Sequence, residues 1–227
     1  TMTPKAGAQG ELCGMMAIKQ ALFNKNESHR KIVLVPDSAH GTNPATAAFL
    51  GFDVKTIKSN EKGLIDFDDF KENIDENFAA VMITNPNTCG LFETDIVKIS
   101  ELTHESGGYL YCDGANFNAV VGKLKPGDLG IDAMHINLHK TFSTPHGGGG
   151  PGSGPVVFSK RLENFCPTPL VENDKGEYNL IESLDGKSLS NSFGRLNVFH
   201  GQMGMFVRAM SYICLLYTSP SPRDPHL

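Results

Sequence analysis

Residues 79–114, AAVMITNPNTCGLFETDIVKISELTHESGGYLYCDG, contain the patterns of a strand, a helix and a second strand. The short apolar run at 79–84 stops at an Asn-Pro-Asn turn signal, which is typical of a buried strand. Apolar residues then recur at helical spacing across 96–103, and Gly107 marks the expected end of that helix. Residues 108–112 are apolar again. Strands that alternate with helices in this way favour a parallel sheet.

The same alternation continues on both sides of this unit. Further strands are predicted at residues 32–35, 53–57, 133–138 and 155–158, and further helices at 10–22, 42–50, 67–78 and 201–216. The regular alternation fades between residues 166 and 195. The pattern predicts an α/β fold with a mainly parallel sheet and helices on both faces.

The composition is that of an ordinary globular chain. Of the 227 residues, 40% are hydrophobic and 20% are charged, which is enough apolar material for a sizeable core. The net charge of -5 gives no sign of a nucleic-acid surface, and we expect no nucleic-acid partner. No apolar stretch reaches the roughly 20 residues that span a bilayer, so we expect no membrane association. Five scattered cysteines and the lack of a signal-peptide pattern favour a cytoplasmic protein.

Lys140 is the clearest chemical signal in the chain. It follows the predicted strand at 133–138 and precedes a glycine-rich loop at 147–154. A lysine amine that is desolvated, or that lies near another charge, has a lowered pKa and can form a Schiff base. Asp113 ends the predicted strand at 108–112. A lysine for an aldehyde and an aspartate for a pyridinium nitrogen together suggest pyridoxal phosphate.

Two other motifs are expected at the same edge of the sheet, because ligands of open α/β sheets bind beyond the carboxyl ends of the strands. Residues 36–44 follow one predicted strand and include His40, which is either a turn residue or an imidazole against the cofactor ring. Residues 85–90 follow another. Asn85 and Asn87 are plausible turn formers, and either could donate to a ring oxygen.

The small residues at 6–11 offer an anion site, because a helix is expected to start there. Backbone N–H groups at a helix N-terminus suit a phosphate. Taken alone the signal is weak, since such stretches usually only cap helices. The loop at 147–154 matches neither GxxxxGK[ST] nor a GxGxxG between strand and helix, so both nucleotide motifs are rejected.

A metal site is not expected. His135 and His139 have the spacing of helical metal ligands, but they lie in a predicted strand and have no obvious cysteine or carboxylate partner. In such a strand His139 points away from Lys140, which favours a structural role for it.

Taken together, these motifs resemble the P-proteins of the glycine cleavage system, the glycine dehydrogenases (decarboxylating). The resemblance is carried by residues 6–11, 36–48, 84–93, 113–118 and 137–155, and it covers roughly residues 3–214. The runs at 143–146 and 165–169 are more similar to the separate second subunit of the bacterial two-subunit form. The resemblance implies the fold-type I, aspartate aminotransferase-like architecture of pyridoxal phosphate enzymes.

The resemblance also implies a role for each matching position. The positions that would bind pyridoxal phosphate are Lys140, Asp113, His40, Ala8, Gln9, Thr42, Asn85, Asn87 and Ala115. Lys140 would carry the cofactor as a Schiff base, Asp113 would keep its ring nitrogen protonated, and His40 would stack on the ring. Ala8 and Gln9 would hold the phosphate. Lys140, Asp113 and His40 are thus the expected catalytic residues.

The family's reaction is the decarboxylation of glycine with transfer of the aminomethyl group to the lipoyl arm of H-protein. The implied partners are glycine, lipoylated H-protein and a first P-protein subunit, in an expected heterotetramer. The alternatives are another fold-type I aminotransferase or amino-acid decarboxylase, or an inactive assembly fragment.

Three segments are expected along the chain. Residues 1–165 would form the core of the cofactor-binding large domain, and 166–216 would lead toward a missing C-terminal small domain. Residues 217–227 contain three prolines within six residues and break an apolar helical pattern, which indicates a non-native or disordered tail.

Overall fold

A six-stranded sheet lies at the centre of the computed structural model, which describes residues 1–148, 150–182 and 191–218. Its strands β1 to β6 are Ile32–Pro36, Asp53–Ile57, Phe78–Thr84, Tyr109–Gly114, Ala133–Ile136 and Val156–Phe158. Their order in the sheet is β2-β1-β3-β4-β5-β6. The first five strands run parallel, and β6 returns antiparallel to β5. The predicted mainly parallel sheet is therefore confirmed.

Helices cover both faces of this sheet. The helices α1 to α6 of the described residues are Gly7–Asn24, Thr42–Phe49, Phe67–Glu72, Ile96–Glu105, Leu138–Thr141 and Met203–Thr218. Residues of α1 and α2 share one core cluster with Val33 and Tyr111, whereas α3 and α4 pack with Leu34 and Leu110. Because neighbouring residues of a strand point to opposite faces, the two clusters lie on opposite sides of the sheet.

Two predicted elements extend too far. The spacing of phenylalanines predicts a helix to Phe78, but α3 ends at Glu72 and Phe78 begins β3, where it pairs with Ile32. The spacing misleads because a strand residue happens to fall four positions after Ile74. The predicted strand at 133–138 ends at Ile136, since the chain turns into the short helix α5.

Helix α1 lies very close to the sheet because three glycines share one of its faces. These glycines are Gly7, Gly10 and Gly14, and a Cβ atom added to each would lie 2.5, 2.7 and 2.6 Å from side-chain atoms of Asn137, His135 and Tyr111, respectively. Such distances are well below van der Waals contact, so no larger residue fits without a shift. The close approach brings the N-terminus of α1 to the carboxyl ends of β4 and β5.

The chain leaves the sheet through an antiparallel hairpin, β7 Leu170–Asp174 and β8 Glu177–Ile181. This hairpin falls where the sequence alternation fades. Helix α6 continues to Thr218, two residues into the segment predicted as a tail, and residues 219–227 lie outside the described residues. Within the described ranges, no helix is both long and apolar enough to cross a membrane.

Candidate active site

A cavity of about 390 Å³ opens at the carboxyl ends of the parallel strands. Its lining includes six of the nine predicted cofactor positions, namely Ala8, His40, Thr42, Asp113, Ala115 and Lys140. The topology explains this, because β1, β4 and β5 are parallel and the loops that follow them meet at one edge. Gln9, Asn85 and Asn87 are not among the lining residues.

Asp113, near the end of β4, is a buried carboxylate with several donors. One oxygen accepts the Ala115 N–H at 2.8 Å, and the other accepts the Asn43 amide at 3.1 Å. The His135 Nε2 atom lies 3.3 Å from the first oxygen. The residue is 3% exposed, and its position is fixed by β4, by α2 through Asn43, and by β5 through His135. A carboxylate held in this way is suited to pair with a cationic ring nitrogen.

His135 links Asp113 to the core and was not predicted as a site residue. Its Nε2 atom lies 2.8 Å from the Asn137 carboxamide oxygen, and its Nδ1 atom lies 2.6 Å from the Tyr111 hydroxyl. Two acceptors beside Nε2 place the ring proton there, so Tyr111 donates to Nδ1. Burial lowers the pKa of His135 even though the Asp113 carboxylate opposes that change, and the ring is therefore neutral at neutral pH.

Glu11, on the first turns of α1, is a second buried carboxyl that lines the cavity and was not predicted. Burial raises the pKa of Glu11 to about 8, and the nearby Asp113 charge adds to the rise, while hydrogen bonds from Asn43 and Thr46 oppose it. The Thr46 hydroxyl lies 3.4 Å from its carboxyl. One feature of the sequence could have indicated that Glu11 is buried. Glu11 lies four residues after Gly7 and therefore on the same face of α1 as the glycines.

Lys140 lies in α5, and its side chain is exposed to the cavity. Among the described residues its ammonium group has no hydrogen bond or salt bridge, so it is available to a ligand. The predicted structural role of His139 assumed a continuing strand, and that assumption is wrong. In the helical turn His139 lines the cavity beside Lys140 and stacks on His146, with ring centroids 4.0 Å apart. Burial, with smaller effects of His146 and Lys140, lowers the pKa of His139 to about 4.

The N-terminus of α1 is an open set of backbone donors. Its N-cap, Ala6, is extended and supplies no side-chain cap, and the first turn carries no acidic residue. Ala8 lines the cavity at this point. The Gln9 side chain is engaged elsewhere, since its carboxamide forms two hydrogen bonds with Asn197 and accepts the Lys5 N–H. Any contribution of Gln9 to an anion site would therefore come from its backbone.

The two asparagines after β3 stabilise a turn. The Asn87 carboxamide accepts the Cys89 and Leu91 N–H groups and donates to the Gly63 carbonyl. The Asn85 oxygen accepts the Glu93 N–H. The structure thus favours the turn-forming alternative for both. Thr84, the residue before Asn85, lines the cavity instead, and its buried hydroxyl has no partner among the described residues.

Glu11, Asp113 and His135 place three potential metal-ligand atoms within 4.8 Å of one another. His135 therefore does have carboxylate neighbours, contrary to the expectation from the sequence. The hydrogen bonds to Asn43, Asn137 and Tyr111 already account for the grouping. The neutral histidine and the high pKa of Glu11 fit a hydrogen-bonded cluster in the cavity wall.

Comparison with known proteins gives matches along most of the chain. The aminotransferase class-V model matches residues 9–166. A protein of Caulobacter vibrioides named as glycine dehydrogenase (decarboxylating) subunit 2 is 58% identical over 212 residues, which are 93% of this chain and 40% of that protein. The Kosmotoga olearia protein of the same name is 53% identical, over 95% of this chain and 44% of its own length. The chain thus spans about two fifths of these relatives.

Solved structures share the fold. A glycine decarboxylase (P-protein) of the glycine cleavage system superposes on 96% of this chain and 48% of its own, with a TM-score of 0.67 and 22% identity. A Burkholderia pseudomallei sphingosine-1-phosphate lyase superposes on 95% of this chain and 47% of its own, with a TM-score of 0.66 and 17% identity. At such identities the likeness establishes the architecture alone, and it agrees with the predicted fold-type I class.

Proposed function

Because the chain belongs to the aminotransferase class-V family, we propose that it is the cofactor-binding part of a pyridoxal phosphate-dependent glycine dehydrogenase (decarboxylating), in its second subunit. The relatives at 53–58% identity carry that name. The chain spans only 40–44% of their length, so the activity belongs to the longer protein.

The observation that carries this proposal is the convergence of Lys140, Asp113 and the open N-terminus of α1 on one cavity. They match the three ends of pyridoxal phosphate, which are its aldehyde, its ring nitrogen and its phosphate. A polar group without a partner among the described residues also fits a bound ligand. This group is the buried Thr84 hydroxyl in the cavity lining.

Each residue would have a separate task. Lys140 would bond covalently to the aldehyde, and after the substrate amine has displaced it, its free amine would take up or release a proton at Nζ. Asp113, held by Asn43 and the Ala115 N–H, would keep a proton on the ring nitrogen. His40, whose Nδ1 accepts the Thr42 N–H at 3.2 Å, would cover one face of the ring. When bound, the cofactor supplies an electron sink for the charge left as glycine loses its carboxylate.

The wider assignments are also proposals. The substrate would be glycine, the acceptor would be lipoylated H-protein, and the first subunit would complete a cytoplasmic heterotetramer. Residues 1–165 would form the cofactor-binding core, and 166–216 would lead toward a small domain supplied by the rest of the protein. Residues 217–227 would be a non-native tail.

The decisive experiment uses the full-length second subunit with its first subunit. Borohydride reduction followed by peptide mapping should place the cofactor on Lys140. Carbon dioxide should be released from carboxyl-labelled glycine only when lipoylated H-protein is present. A cofactor on another lysine, or release from a different amino acid without H-protein, would contradict the proposal and favour another fold-type I enzyme.

A further inference from the structure

We propose that Glu11 is a positioning residue for Asp113: it holds a proton and shares the Asn43 amide with Asp113, so that Asp113 is the single anion of the pair. The inference deepens the proposed function and rests on it for the identity of the ligand. The arrangement itself depends only on contacts among the chain's own residues.

The two carboxyls are close and both are buried. Glu11 and Asp113 are each 3% exposed, and potential ligand atoms of the two lie within 4.8 Å of each other. Two negative charges at this separation in a buried site repel strongly, so such a pair holds one proton between them.

Asn43 connects the two carboxyls. Its side chain is fully buried, and its amide donates to Asp113 Oδ2 at 3.1 Å. The same side chain acts on the Glu11 carboxyl, whose pKa it lowers. Its carbonyl oxygen is buried with no partner among the described residues, so it is free to accept a hydrogen bond. A protonated carboxyl carries a donor, whereas a carboxylate has none.

The surroundings decide which carboxyl holds the proton. Asp113 receives three well-placed groups, from Asn43, the Ala115 backbone and His135. Glu11 is influenced by the same Asn43 side chain, and its contact with the Thr46 hydroxyl, at 3.4 Å, is longer than those of Asp113. The better-supported Asp113 therefore keeps the negative charge, and the raised pKa of Glu11 agrees with this order.

The other ionisable groups around Glu11 do not change that outcome. Tyr111 on β4 has a pKa raised well above its ordinary value by burial, and His135 on β5 is neutral. Lys140 on α5 lowers the pKa of Glu11, but it is the smallest of the named influences. On α2 the neighbours, Asn43 and Thr46, are neutral.

The proton can be observed without the cofactor. Infrared spectroscopy of the full-length apo-protein at pH 7 should show a protonated-carboxyl band that Glu11→Gln removes. Glu93→Gln is the matched control, because Glu93 is 2% exposed and accepts the Ile65 N–H away from the cavity. The band should survive in this control. Its absence from the wild type, or its survival in Glu11→Gln, overturns the proposal.

The positioning role is tested by cofactor affinity in the full-length enzyme. Glu11→Ala should weaken pyridoxal phosphate binding about tenfold, whereas Glu11→Gln, a neutral isostere, should stay within about threefold of the wild type. In an Asn43→Ala background, Glu11→Ala should add nothing, because the connection is already broken. Effects that multiply in the double variant, or equal losses in Gln and Ala, overturn the proposal. If the wild type never attaches the cofactor to Lys140, the proposed function fails, and the infrared result still decides where the proton resides.

Discussion

Asp132 and Asp113 are both buried aspartates beside β5, and their surroundings differ. Asp132 accepts hydrogen bonds from Arg161 at 2.7 Å, from His104 at 2.9 Å and from the Leu110 N–H at 3.0 Å. Burial alone would raise the pKa of Asp132, but the hydrogen bonds from His104 and Leu110 and the Arg161 charge hold it below its ordinary value. The Asp132 carboxylate therefore receives its hydrogen bonds from groups of the protein itself.

The cluster around Asp113 is incomplete. Its second carboxyl, Glu11, has a raised pKa, and Thr84, which pairs with Asp113 in the sheet and lines the cavity, has a buried hydroxyl without a partner among the described residues. No arginine or lysine of the described part of the chain hydrogen-bonds to Asp113. Buried polar groups are normally satisfied, so an incomplete cluster beside a cavity indicates a ligand, and the complete cluster around Asp132 indicates a structural role.

Lys140→Ala should have the largest effect on the cavity side. Loss of the covalent anchor should reduce glycine decarboxylation by roughly 10⁴-fold and abolish the visible band of the lysine–cofactor adduct. The free energy of unfolding of the apo-protein should change by no more than about 0.5 kcal/mol, because the side chain is exposed. Absorption spectra and denaturant unfolding measure the two effects. Cofactor that survives borohydride treatment and denaturation in the variant would contradict the assignment.

Asp113→Asn should separate binding from turnover. The amide fills the same space, so the cofactor should still bind, but the ring nitrogen loses its charged partner. Turnover should fall by roughly 100- to 1000-fold, a range typical of the loss of one electrostatic contact to a reacting group. Steady-state assays at saturating cofactor test this, and turnover within a factor of three of the wild type would remove Asp113 from the mechanism.

Asp132→Asn should show the opposite pattern. Arg161 would lose its buried partner, and the free energy of unfolding should fall by about 3 kcal/mol. The affinity of the folded fraction for the cofactor should remain unchanged, since Asp132 does not line the cavity. Urea unfolding and equilibrium binding measure the two quantities. A weaker cofactor affinity without a loss of stability would contradict a purely structural role for Asp132.

The clusters should also respond to pH with opposite signs. The pKa of Glu11 is raised from 4.5 to about 8 on folding, so the folded state favours its protonated form and loses stability as pH rises from about 4.5 to 8. The pKa of Asp132 is lowered, so its contribution is present at neutral pH and is lost as pH falls below the ordinary aspartate range. Glu11→Gln should therefore raise the free energy of unfolding at pH 8.5 by roughly 2–4 kcal/mol and have little effect at pH 5. Equal effects at both pH values would show that Glu11 does not titrate in this range.

His40→Ala should have the smallest effect. His40 is exposed at the cavity edge and would contribute only stacking on the ring, about 0.5–1.5 kcal/mol of binding free energy. The cofactor dissociation constant should therefore rise between about twofold and tenfold. His29→Ala is the matched control, because His29 is exposed and does not line the cavity. An equal change in both variants would argue against stacking.

The sequence predicted the six strands of the central sheet well, because most are short apolar runs and the strand at 53–57 alternates with period two. All six predicted strands occur, and the observed sheet brings Lys140 and Asp113 together as expected. The prediction for His139 failed because residue spacing alone does not determine the direction in which a side chain points. His139 was placed on the wrong side because a strand and a helical turn orient consecutive side chains differently.

Contacts between distant segments were harder to predict. The turn roles of Asn85 and Asn87 depend on backbone N–H groups of residues that follow them. The buried environment of Glu11 depends on β4 and α2, which lie far from it in the sequence. A charged residue near the start of a helix normally faces solvent, and the only sequence signal against that expectation was the position of Glu11 on the glycine face of α1.

The glycine face of α1 couples two parts of the binding site. The backbone donors of its first turn and the Glu11 carboxyl belong to the same helix, which packs directly on the sheet. The glycines have no side chains that could adjust to a shift of the helix. A single methyl group added at Gly10 would therefore move both ends of the binding site together. We expect substitutions at these three glycines to weaken phosphate binding and to displace the Glu11 carboxyl at the same time, even though Gly10 and Gly14 do not line the cavity.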